Sequence, residues 1–86
     1  MGAQSVRLVG KMDDVRLLVQ KRVPLCLRCE DCGHRGKVAA EALLDREGVA
    51  HLTPISRLRF FCQECRSRRV SMFIPENEND ASTWNT

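Results

Sequence analysis

The chain has no tyrosine, one tryptophan and three phenylalanines among its 86 residues. That supply is thin for a large aromatic core or for a row of base-stacking platforms. Long apolar runs are missing too. A bilayer span needs about 20 apolar residues, and the best run here, Val23 to Leu27, contains Pro24 and stops at Arg28. The opening residues, Met1 to Val6, lack the apolar stretch of a secretory signal, and Val6 stands where N-myristoylation needs Ser or Thr. No membrane partner is expected, and a cytoplasmic location is. Gly33 and Gly36 flank His34-Arg35 without the spacing of a phosphate-binding loop. Ser56, Ser67 and Ser71 have no evident His/Asp partners, and Glu41, Asp45 and Glu47 read as solvated helix charges. Neither an enzyme nor a small-molecule substrate is expected.

Cysteine, by contrast, is abundant, at five in a chain long enough for one small domain. A core of this size buries little more than ~60% of the unfolded surface, so a metal or disulfide staple is expected. Hydrophobic residues at 43% and charged residues at 29% argue against wholesale disorder. Two pairs, Cys29/Cys32 and Cys62/Cys65, share the C-x2-C spacing. Two intervening residues let a tight turn aim both sulfurs at one ion, and two such turns complete a tetrahedral site. In a reducing cytosol clustered thiols favour metal over disulfides, and an odd count fits a disulfide framework poorly. The expected cofactor is a structural Zn²⁺ held by Cys29, Cys32, Cys62 and Cys65. The 29 residues between the pairs exceed the common ~15–20, leaving room for inserted helices. Cys26 extends the first pair to C-x2-C-x2-C, but an iron–sulfur run needs a fourth cysteine where Gly36 stands. A register using Cys26 and Cys29 is the alternative; otherwise Cys26 is a small buried residue in a strand. His34 and His51 are weaker candidate ligands, read as solvated loop residues.

The chain divides into three parts. Residues 1–20 form a leader of uncertain structure: Met12, Val15 and Val19 have helical spacing, while Val15, Leu17 and Val19 alternate like a strand. Residues 21–74 form the compact domain. Val23, Leu25 and Leu27 predict a strand running into the first pair, residues 38–47 a helix closed by Gly48, and Thr53-Pro54 an N-cap opening one or two turns. Val70, Met72 and Ile74 predict a final strand. Residues 75–86 form an acidic tail expected to be disordered, with Trp84 either a stray exposed residue or a docking anchor. The fold class is α+β: two C-x2-C knuckles on short antiparallel strands, with one or two helices inserted between them.

Charge is unevenly spread. Residues 1–25 and 26–72 each carry +3 and residues 73–86 carry −3, giving the net +3. Zinc with four thiolates would add −2 and leave about +1. Arg57, Arg59, Arg66, Arg68 and Arg69 surround the second knuckle, and arginine suits bidentate phosphate contacts. The competing reading is a solvated face that offsets the anionic metal site. Phe60 and Phe61 can stack on bases, although at least one is expected in the core.

With these residues in view, the chain resembles small bacterial zinc-ribbon proteins of no assigned activity. Their pattern of C-x2-C-G-H-R, an amphipathic helix, a Thr-Pro turn and R-L-R-x-C-x2-C matches Cys29–Arg35, Thr53-Pro54 and Arg57–Cys65, with an extra phenylalanine before Cys62. The resemblance covers roughly residues 23–74 and implies that Cys29, Cys32, Cys62 and Cys65 are the ligands, with Cys26 outside the motif. The glycine that usually follows the second knuckle is Arg66 here. Two functional expectations follow. One is a nucleic-acid-binding or transcription-associated module, with DNA or RNA on the arginines. The other is a protein-interaction adaptor docking through Val6, Leu8, Val9, Leu17, Leu18 and Val19 of the leader, or through Trp84.

Overall fold

The computed structural model describes residues 6–84. Its frame is a four-stranded antiparallel sheet of β1 (Val6–Leu8), β2 (Leu25–Cys29), β3 (Arg35–Val38) and β4 (Val70–Pro75), in the order β1-β4-β2-β3. Three short helices, α1 (Val15–Lys21), α2 (Ala40–Leu44) and α3 (Glu78–Ser82), and one 3₁₀ turn (Ile55–Arg57) complete it. This is the α+β class expected from the sequence.

Alternation along β2 and β4 sends apolar side chains to both faces. Leu25, Leu27, Met72 and Ile74 belong to the main core, with Val15 and Leu18 of α1, Leu43 of α2, and Ile55. Cys26 and Phe73, the intervening positions, form a second cluster with Trp84 and Val6 on the opposite face. The sheet is therefore covered on both sides, which explains why these strands carry so few exposed polar residues.

Residues 6–20 belong to this unit. β1 pairs with the free edge of β4, Val6 opposite Pro75. The ambiguity over Val15–Val19 resolves as a helix. The Asp14 side chain accepts from Leu17 N–H at 3.2 Å, and Arg22 closes the helix in the left-handed conformation at φ 58°. The remaining N-terminal donors are met by the 51–53 loop, through Val15 N–H to Thr53 O and Arg16 N–H to His51 O.

Three expectations are corrected. The helix over 38–47 shortens to Ala40–Leu44, because Arg35–Val38 pair with β2 and Val38 stands opposite Leu25. Sheet pairing overrides helix propensity there; Gly48 still takes φ 81°, in the turn beyond the helix. Thr53 does not cap a helix. Its hydroxyl accepts from Ala50 N–H at 2.8 Å, and Pro54 precedes a single 3₁₀ turn. The tail is ordered through residue 84. The Asn77 side chain caps α3 by accepting from Asp80 N–H at 3.0 Å, and Trp84 is 2% exposed. What the sequence predicts for the leader at residues 1–5 and the tail at 85–86 lies outside the described residues.

Trp84 holds the tail in place. Its Nε1–H donates to Leu27 O at 2.9 Å, its ring lies 5.2 Å from that of Phe73, and the Arg35 guanidinium sits 4.7 Å above it. Neither reading of Trp84 from sequence holds: it is neither a stray exposed residue nor an available anchor, but part of the second core.

Candidate metal centre

Both C-x2-C segments fold into the same six-residue turn. Cys29, the last residue of β2, donates its N–H to His34 O at 2.8 Å and accepts from Gly33 N–H at 3.0 Å. Cys62 repeats the pair, donating to Ser67 O and accepting from Arg66 N–H, both at 2.8 Å. The turn demands a left-handed residue after its second cysteine. Gly33 supplies it at φ 79° without strain, whereas Arg66 is held there at φ 64°. Arg66 thus stands where the resembling proteins have glycine, and the turn forms regardless.

The turns aim four sulfurs inward. Cys29 and Cys65 Sγ lie 3.5 Å apart, as do Cys32 and Cys62 Sγ, and all four sulfurs fall within 4.8 Å of one another. A tetrahedral ion with metal–sulfur bonds of ~2.3 Å has sulfur–sulfur edges of ~3.8 Å, so the donor set fits one ion. The separations are far longer than the ~2.05 Å of a disulfide, and all five cysteines are free thiols. Backbone N–H groups face the cluster: Cys32 N lies 3.5 Å from Cys29 Sγ, and Glu64 N lies 3.4 Å from Cys62 Sγ.

Ionisation follows from this crowding. The Cys32 N–H, helped by that of Asp31 and by neighbouring thiols, draws the Cys29 thiol down to about 6. Cys65 accepts from Ser67 N–H, which favours its thiolate. The adjacent Cys29, Cys32 and Cys62 thiols and burial nevertheless push it up to about 12. Cys32 accepts from His34 N–H, yet is raised in net by Cys62, burial and Cys29. One thiolate forms readily and further negative charge is resisted, which is the electrostatic setting a divalent cation relieves.

Asp31 ties the knuckles together. Its carboxylate accepts from the Ser67 hydroxyl and, at 3.0 Å, from the Arg69 guanidinium, while Glu30 N–H donates to Arg69 O at 2.8 Å. Sequence reading did not single out Asp31. Its position between two ligand cysteines was the available signal, but its partners are more than 30 residues away.

Cys26 points to the other face of β2. It is fully buried against Phe73 and Trp84, and burial pushes its thiol up to about 11. The register using Cys26 is thereby corrected: the alternation of the strand separates it from Cys29. His34 and His51 are exposed, outside the sulfur cluster, and contribute carbonyls to Cys29 N–H and Arg16 N–H.

The five arginines of the second half separate. Arg57 and Arg59 line an open depression of about 640 Å³ with Arg46, a residue sequence reading passed over. Arg59 and Arg68 line a second depression with Phe60 and Phe61. The Arg59 guanidinium is fixed by bonds to Ser56 O and Leu58 O at 3.0 and 3.2 Å. Arg66 is exposed on the second knuckle, outside both depressions. Arg69 is engaged with Asp31. Among the described residues, Arg46, Arg57, Arg59, Arg66 and Arg68 have no carboxylate partner, whereas Arg7, Arg16, Lys21, Arg28 and Arg69 do. No helix of the described residues is long and apolar enough to cross a membrane.

No protein-family model, curated protein or solved structure matches the chain.

Proposed function

We propose that the chain is a zinc-held nucleic-acid-binding module without enzymatic activity. Four thiolates saturate a tetrahedral ion and leave no open position for substrate or activated water, so the metal's part is structural. In this reading Cys29, Cys32, Cys62 and Cys65 hold Zn²⁺, and the ion joins chain segments 30 residues or more apart. The thiolate-rich donor set favours zinc over hard cations.

The observation that carries the nucleic-acid reading is the unpaired charge. Arg46, Arg57, Arg59 and Arg68 line two depressions that share Arg59, and among the described residues none of them forms an ion pair, although Glu47 also lines the first depression. A face of guanidinium groups suits phosphate oxygens, which it meets by releasing counterions. The adaptor alternative has less to stand on. Leu18 is in the core, Val9 and Leu17 pack against it, and Trp84 is buried. Leu8, Met12 and Val19 remain exposed. The reading implies that the zinc-loaded chain binds DNA or RNA with affinity falling steeply as salt rises. The slope of log K against log[salt] should drop by ~0.7–0.9 for each of Arg57, Arg59 and Arg68 replaced by alanine. Absence of binding at low salt would overturn it.

A further inference from the structure

We propose that the cleft beside Phe61 receives an unpaired nucleobase, so that the ligand of the arginine face is single-stranded nucleic acid. The inference rests on the reading of those arginines as phosphate contacts.

The chain has only four aromatic side chains, and three have a packing role. Phe73 and Trp84 pack against each other at a tilt of 47°, and Phe60 packs against the main core beneath the Arg46 guanidinium, 5.1 Å from its ring. Phe61 is the exception. It is 59% exposed, although Cys62 beside it is buried. It stands between two concavities. On one side is a cleft of about 220 Å³ whose apolar wall includes Leu27, Val38 and Val70; Lys37, His34 and the metal-site cysteines Cys29 and Cys62 also line it. On the other, the depression is lined only by Arg59, Phe60, Phe61 and Arg68. Neither is lined by a carboxylate, although the first cleft borders the thiolates of the metal site.

An aromatic ring next to an apolar cleft, with cations on both sides, matches the chemistry of one nucleotide and its flanking phosphates. The cleft is smaller than the ~300 Å³ typical of drug-sized sites and suits a single flat heterocycle. A base within a duplex offers only its edge, because its faces are covered by its neighbours. An unstacked base can lay its face on Phe61 while the adjoining phosphates reach Arg59 and Arg68. Base–aromatic stacking tolerates any base, so weak sequence preference is expected.

The test uses the zinc-loaded full chain, a short labelled oligo(U) and a labelled duplex of equal length, read by fluorescence anisotropy at two salt concentrations. Circular dichroism and zinc content verify that each variant is folded. Phe61→Ala should weaken oligo(U) binding about 5- to 140-fold, Phe61→Trp should restore it, and duplex binding should be weaker and unchanged by either. Oligo(U) binding that is salt-sensitive but unaffected by Phe61→Ala, or duplex bound more tightly than oligo(U), would overturn the inference and leave the arginine reading standing. Failure of the unaltered chain to bind either probe would overturn both.

Discussion

Trp84→Ala offers the sharpest energetic test of the fold, because the residue ties a segment of tail composition to the centre of the sheet. A buried tryptophan removes ~150–250 Å² from water. At ~25 cal/mol/Å² this corresponds to ~4–6 kcal/mol, an upper bound that a compact unfolded state lowers to ~3–5 kcal/mol. Loss of the indole bond to Leu27 O adds ~1 kcal/mol. α3 is only five residues long, so it can lift away and admit water rather than leave a cavity. The expected loss is therefore at the low end, ~3 kcal/mol. For a chain this short that is a fall of about 12–24 °C in Tm. Trp84→Phe keeps a ring against Phe73 but gives up the indole donor, and should cost ~1–2 kcal/mol. Urea denaturation followed by far-UV circular dichroism reads both. A Trp84→Ala loss below ~1 kcal/mol, or Trp84→Phe as harmful as alanine, would refute the claim that the tail belongs to the cooperative unit.

The two knuckles make opposite predictions at equivalent positions. Arg66→Gly should stabilise by up to ~1 kcal/mol, as relief of the left-handed strain outweighs the added freedom of the unfolded chain. Gly33→Ala should destabilise by ~1 kcal/mol through its backbone alone, since nothing lies within 4 Å of the added methyl; thermal melts of both variants check the pair, and a destabilised Arg66→Gly would contradict the geometry. Asp31→Ala should lower metal affinity about 10-fold, as removal of a group that orients ligands does. Competition with a chromogenic chelator measures this, and an unchanged affinity would show that the bonds to Ser67 and Arg69 do not position the sulfurs. Their exposed ion pair alone is worth only ~0–1 kcal/mol.

What could be read from the sequence was local. The C-x2-C turn is written in adjacent residues, so the four sulfurs were legible from spacing, as were the strands with alternating Leu25/Leu27 and Val70/Met72/Ile74. β3 was not, because Arg35-Gly36-Lys37-Val38 has no strand pattern of its own and pairs only through β2. The tail misled for the same reason. Its polar composition predicts disorder, whereas the groups that order it, Phe73, Leu27 and Arg35, lie elsewhere in the chain. The leader's apolar residues suggested a docking surface because their partners, such as Leu43 and Ile55, come later in the chain. Among the arginines, proximity in sequence overstated proximity of role. Arg69 serves the knuckles, and Arg46, 13 residues before Arg59, reaches the same surface.

The most direct test is a titration of the metal-free chain with Zn²⁺ under reducing conditions, followed by far-UV circular dichroism and read against zinc content. The four-thiolate site predicts that structure develops linearly up to one equivalent and then stops, that excess chelator reverses it, and that Cys29→Ser with Cys62→Ser abolishes it. A metal-free chain that is already fully folded, or folding indifferent to zinc, would contradict a metal-held fold.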